Sequence, residues 1–129
     1  MRSAGKVLDT GVLVSYAQGS AYADAVFAVA HRELIPLAVP AACLVEAIAE
    51  VDPKEGARVL SIKEMPVVET VAIDDRSVVQ VGALMADALW PDAPLGAACA
   101  AFEGRSRNWS VMTSRPEAIT RLGGEAEQI

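Results

Sequence analysis

The order of its segments predicts an α/β protein with a mostly parallel central sheet and helices on both faces. Two observations lead there. Short apolar runs rich in β-branched residues alternate along the chain with amphipathic stretches at helical spacing, the pattern of strand–helix–strand crossovers, which are right-handed. The core must also be made of small aliphatic side chains: hydrophobic residues make up 53% of the 129 positions, with 24 Ala and 16 Val, whereas aromatics are only 5%. Such side chains let helices lie close on a sheet. The length suits a single domain over residues 1–129.

The elements follow in order. Lys6 to Asp9 reads as a short strand closed by an acid, followed by Thr10-Gly11 and a short helix through Gln18. Ser20 caps a helix to about Leu34, and a second strand at Leu37 to Val39 leads through Pro40 into a helix from Ala41 to Val51. Asp52-Pro53 restarts a helix to about Ile62. Val67 to Ile73 is β-branched and reads as a third strand, after which Asp74 caps a helix to about Leu89. Trp90-Pro91 breaks it, Asp92 caps the next helix, and Gly104 ends that one. Trp109 to Thr113 is a fourth strand and Pro116 to Leu122 a last helix. The tail beyond Gly123-Gly124 carries no clear signal.

Charge and cysteine usage narrow the function. Eleven Lys and Arg against 17 Asp and Glu give a net charge of -6, which excludes a broad basic surface for nucleic acid. Residues 101–129 hold four basic and four acidic residues, so the acidic excess lies entirely upstream of them. Cys43 and Cys99 sit among apolar neighbours without metal-ligand spacing and read as buried free thiols. No apolar run approaches the roughly 18 residues of a membrane span, and Met1 to Lys6 does not read as a signal peptide, so a cytoplasmic protein without a membrane partner is expected.

Ligands of such sheets bind beyond the carboxyl ends of the strands. Asp9-Thr10, Asp74-Asp75 and Thr113-Ser114-Arg115 stand there. Glu46 lies on the helix after the second strand with apolar flanks, a setting in which a carboxylate is costly unless paired or bound to a cation. Each acid also has a plain structural role available. Asp9 and Asp92 are good helix caps, Glu46 and Glu50 at four-residue spacing form an exposed stripe, Asp74-Asp75 reads as a capping pair, and His31 reads as a surface residue.

Three segments in this order, VLDTGVL (Val7 to Leu13), VPAACLVEAIAEV (Val39 to Val51) and DAPLGAACAAFEGRSRNWSVMTSRPEAITRLG (Asp92 to Gly123), resemble the signature blocks of PIN domains, in particular the VapC-type toxins of bacterial toxin–antitoxin pairs. The resemblance implies a three-layer α/β/α sandwich with a sheet of four or five strands. It implies a metal-dependent endoribonuclease in which Asp9, Glu46 and Asp92 hold Mg²⁺ or Mn²⁺ and carry catalysis, with Thr10, Thr113 and Ser114 as supporting polar groups. Its implied partners are an RNA substrate, a cognate antitoxin and a second copy in a homodimer. Hard divalent ions take oxygen ligands, and Mg²⁺ needs only one or two carboxylates because it keeps several waters. Arg105, Arg107, Arg115 and Arg121 are candidate phosphate contacts at the less acidic end of the chain.

One residue departs from the pattern. Where the family usually carries a fourth acid, this chain has Arg115, a swing of two charge units. At an effective dielectric near 20, two unit charges about 4 Å apart interact by roughly 4 kcal/mol, enough to move metal affinity by orders of magnitude. An inward Arg115 would contact Asp9 or Asp92 and block the site, which leads to the alternative of a degenerate PIN domain that binds protein or RNA without cutting. Glu117, two residues on, is the candidate replacement for the missing acid.

Overall fold

The computed structural model describes residues 5–129. Strands β1 (Lys6–Leu8), β2 (Leu37–Pro40), β3 (Val68–Val71), β4 (Ser110–Thr113) and β5 (Ala126–Gln128) form one sheet in the order β3-β2-β1-β4-β5, with every pairing parallel. Their connections carry the helices α1 (Thr10–Ala17), α2 (Ala21–Glu33), α3 (Ala41–Glu50), α4 (Pro53–Ser61), α5 (Asp75–Asp87), α6 (Leu95–Arg107) and α7 (Pro116–Arg121). The tail thus supplies a fifth strand, Ala126–Gln128, paired to β4. Three residues are too few to show a period, so only the exposed edge of β4 could call for it.

Short polar side chains set the helix starts. Asp9 caps α1 through Gly11 N–H (3.1 Å), Ser20 caps α2, and Asp52 and Asp74 each close a capping box on α4 and α5. The expected cap of α6 is corrected. Asp92 lies in a turn, Pro94 occupies the cap position without a side-chain hydrogen bond, and the helix begins at Leu95. Pro94 has no N–H and fixes its own φ, so the chain enters the helix two residues later than an Asp cap would allow.

The register sorts the sheet into two faces. Lys6, Leu37 and Ser110 are aligned on one face, where α2 lies over Leu37 and Met112. Val7, Ala38, Val111 and Glu69 share the other, where Arg107 of α6 reaches Glu69. Between these layers Leu8, Leu13, Leu37, Ile62, Ile119 and Leu122 are fully buried. Each contributes about 1.5–3 kcal/mol on burial, so these few large side chains carry much of the hydrophobic stabilisation. Ala97, Ala98, Ala100 and Ala101 bury the inner face of α6 and fill little volume, which brings that helix close to the sheet.

The strand order reverses at β1. The chain goes from β1 outward to β2 and β3, then crosses back to β4 on the other side. The ends of β1 and β4 therefore border the crevice where a ligand is expected, and Asp9 N–H bonds the carbonyl of Met112 there at 3.2 Å.

Candidate functional site

Asp9 ends β1 and is 3% exposed. Its carboxyl is held above the ordinary aspartate range because burial removes it from water; the Thr113 side chain, the backbone at Val12 and Gly11, and the charge of Arg115 act in the opposite direction without cancelling that effect. Thr113 is fully buried, and its hydroxyl accepts the backbone N–H of Arg115 at 2.8 Å, which fixes the turn from β4 into α7. Ser114 crowds Gly11 so closely that a β-carbon at Gly11 would run into the Ser114 hydroxyl. The two strand ends are thus packed against each other, with Asp9 beneath them.

Glu46 closes the other side. Its Oε1 accepts the Thr10 hydroxyl at 2.7 Å and its Oε2 accepts the Gly96 N–H at 2.9 Å. Gly96 is in the first turn of α6, so Glu46 supplies from α3 the cap that Pro94 cannot give. A β-carbon at Gly96 would collide with this carboxylate, and Glu46 therefore requires a glycine there. Underneath, Cys43 donates to the Gly96 carbonyl at 3.3 Å; burial pushes its thiol far up, with the carboxylates of Asp9 and Glu46 adding to the rise.

Thr10, Gly11, Glu46, Glu50, Pro94, Ser114 and Arg115 line a polar cavity of about 420 Å³. A separate apolar groove of about 280 Å³ lies between α2 and the sheet and contains none of the candidate acids. The polar cavity, unlike this groove, holds the candidate residues Thr10, Glu46, Ser114 and Arg115.

The structure brings Thr10, Glu46, Ser114 and Arg115 to this cavity and adds Glu50, which the sequence reading left in an exposed stripe; Asp9 and Thr113 do not line it but are buried behind it, bonded to the backbone of its lining residues Gly11 and Arg115. Asp92 is exposed and does not line the cavity. Arg115 is exposed at its rim and makes no ion pair among the described residues, so the expected contact with Asp9 or Asp92 is not formed; its charge is felt at Asp9 through space. Glu117 faces a neighbouring cavity. Arg107 does not reach the site: its guanidinium pairs with Glu69 (3.0 and 3.1 Å) and Glu103 (3.0 Å) and lies over Trp109. Helix rise puts Arg107 about 16 Å and Arg105 about 13 Å along α6 from Gly96. The sequence offered these arginines as phosphate contacts because they lie on the less acidic end of the chain, which does not fix their distance from the cavity.

Among the described residues no three His, Cys, Asp or Glu side chains converge as a metal-binding group. Asp9 and Glu46 remain, joined through Thr10, and two carboxylates with water and a substrate phosphate match the oxygen chemistry of Mg²⁺. Asp9 is a buried carboxyl without a paired cation among the described residues, the kind of group a bound cation would compensate.

No protein-family model matches the sequence, and a search of curated proteins returns no match. Among solved structures, VapBC2 from Rickettsia felis bound to a DNA fragment from their promoter superposes with a TM-score of 0.69 over 98% of each chain at 13% identity. The fold is PIN-like. At that identity the likeness concerns the fold, and it agrees with the α/β/α sandwich expected from the three signature segments. The PIN-like fold accounts for the cavity's place at the strand-order reversal, while its side chains are this chain's own. No helix among the described residues is long and apolar enough to cross a membrane.

Proposed function

We propose that the chain is a nuclease of the VapC toxin type that hydrolyses RNA phosphodiester bonds with Mg²⁺ or Mn²⁺. The observation that carries this reading is Asp9, a buried carboxyl with no cationic partner among the described residues, directly before Thr10 and Gly11, which line a polar cavity together with Glu46. Asp9 and Glu46 are the groups that hold the ion; when bound, it neutralises phosphate charge and makes an attacking water more acidic. The protein's own residues position. Thr10 and Gly96 N–H fix the Glu46 carboxylate, and Thr113 sets the turn that places Ser114 and Arg115 at the rim. The toxin reading further assigns a cognate antitoxin and a homodimer.

The test is cleavage of a mixed-sequence RNA with Mg²⁺ or Mn²⁺ by the wild type and by Asp9→Asn. Cleavage by the wild type that falls at least about a hundredfold in Asp9→Asn is expected; equal rates in the two would remove the reading.

A second reading, a degenerate domain that binds without cutting, is favoured by two observations: Arg115 stands at the cavity where an acid is usual, and Asp92 stands outside it. It predicts no cleavage under any divalent ion while RNA or a protein partner is still bound.

A further inference from the structure

Beside the polar cavity lies a second one of about 320 Å³, lined by Trp90, Pro94, Arg115, Glu117, Ala118 and Arg121. The two share Pro94 and Arg115 and are therefore neighbours on either side of one arginine. The Arg121 guanidinium lies 4.3 Å above the Trp90 ring, and one of its nitrogens donates to the Leu89 carbonyl at 3.4 Å. An indole with a guanidinium stacked on it, next to a second guanidinium at a cleft rim, is the combination that receives an unpaired base while its phosphate is neutralised. The volume suits a single base, being at the lower end of small-molecule sites.

We propose that this cavity is a base-stacking subsite for single-stranded RNA, holding the nucleotide next to the phosphate in the polar cavity. The inference rests on the nuclease reading for the placement of that phosphate. Glu117 sets the direction of the strand: its carboxylate opposes a phosphate inside the second cavity but not a neutral base. The backbone accordingly passes Arg115, and the base turns in toward Trp90 and Arg121. This local arrangement also answers the chain's charge of -6, since two arginines and a π-surface concentrate affinity where the overall field is unfavourable.

The experiment uses the full chain in EDTA, where binding is measured apart from cleavage. The probes are a fluorescein-labelled six-nucleotide oligoadenylate RNA, the same backbone with abasic residues, and the DNA of the same sequence. Trp90→Ala should weaken RNA binding about tenfold and Trp90→Phe less, and the abasic strand should bind the wild type about as weakly as the RNA binds Trp90→Ala. Arg115→Gln, which removes the cation on the path of the backbone, should flatten the dependence of binding on salt by about 0.7 in the log–log slope. In Trp109→Phe, where Trp90 is the remaining tryptophan, RNA should quench the emission. Equal binding of the abasic and intact strands by the wild type would overturn the subsite, as would DNA bound in strong preference to RNA. Should the RNA be cut by the wild type with Mg²⁺ while Trp90→Phe and the abasic strand bind unchanged, the subsite fails and the nuclease reading stands. Trp90-dependent binding without cleavage by any divalent ion gives the reverse.

Discussion

At Asp9 the energetics of a single buried carboxyl can be read from its sign. Its acidity is shifted upward by burial, so the folded protein binds a proton more readily than the unfolded chain over the interval between the ordinary and the raised value. Stability is then highest below that interval and falls as pH rises through it. In metal-free protein the difference in melting temperature between the wild type and Asp9→Asn should therefore shrink as pH is lowered toward the ordinary aspartate range. Asp9→Asn, which keeps a capping side chain on α1, should raise the melting temperature at pH 7 in EDTA by a few degrees while removing any stabilisation by added Mg²⁺. A lower melting temperature in the variant would show that the charge is stabilising and the site differently built. The thiol beneath follows the same logic in a measurable way. Cys43 is fully buried with its acidity strongly suppressed, and Cys99 is pushed up to about 11. Both should resist iodoacetamide at pH 8 in the folded protein and react in urea, with mass spectrometry counting the adducts.

At the level of elements, Glu46 joins α3 to α6. Gly96 is buried in the first turn of a helix whose own cap residue is a proline, so its N–H depends on Glu46. Glu46→Ala strands that donor and the Thr10 hydroxyl and should cost about 2 kcal/mol in urea unfolding with EDTA present. Glu46→Gln keeps an acceptor for Gly96 and should lose less than half of that. If Glu46 served only as a metal ligand, both variants would match the wild type without metal. This contact also shows what was and was not legible beforehand. The apolar flanks of Glu46 pointed it inward, and the acid ending KVLD was placed correctly, because both signals are local. The start of α6 was misplaced because a capping Asp at position 92 and a proline at 94 compete, and the outcome depends on a carboxylate 50 residues away in sequence. Glu50 in the cavity and Arg107 in its ion pairs likewise depend on how α3 and α6 are rotated and aligned, which periodicity alone does not fix.

On the scale of the whole molecule, Arg115 is the cation shared by two neighbouring cavities. It borders the cavity with Glu46 and Glu50 on one side and the cavity with Trp90 and Arg121 on the other. Its positive charge therefore opposes a divalent ion near Asp9 and favours a phosphate passing between the cavities. Arg115→Asp exchanges both effects at once, changing the local field by two charge units without touching the hydrogen bond that its backbone N–H gives to Thr113. Because the side chain is exposed and screened, the gain for the metal is far below the contact limit, and an increase of about tenfold in Mn²⁺ affinity is expected by calorimetry at low salt, shrinking as salt is raised. Binding of the hexanucleotide in EDTA should weaken in the same variant, since a cation is lost from the strand's path. Opposite movements of metal and RNA affinity from one substitution are the signature of an arginine shared by two sites. If Mn²⁺ affinity stays unchanged while RNA binding falls, Arg115 acts on the strand alone, and a cation at that position leaves the ion site intact.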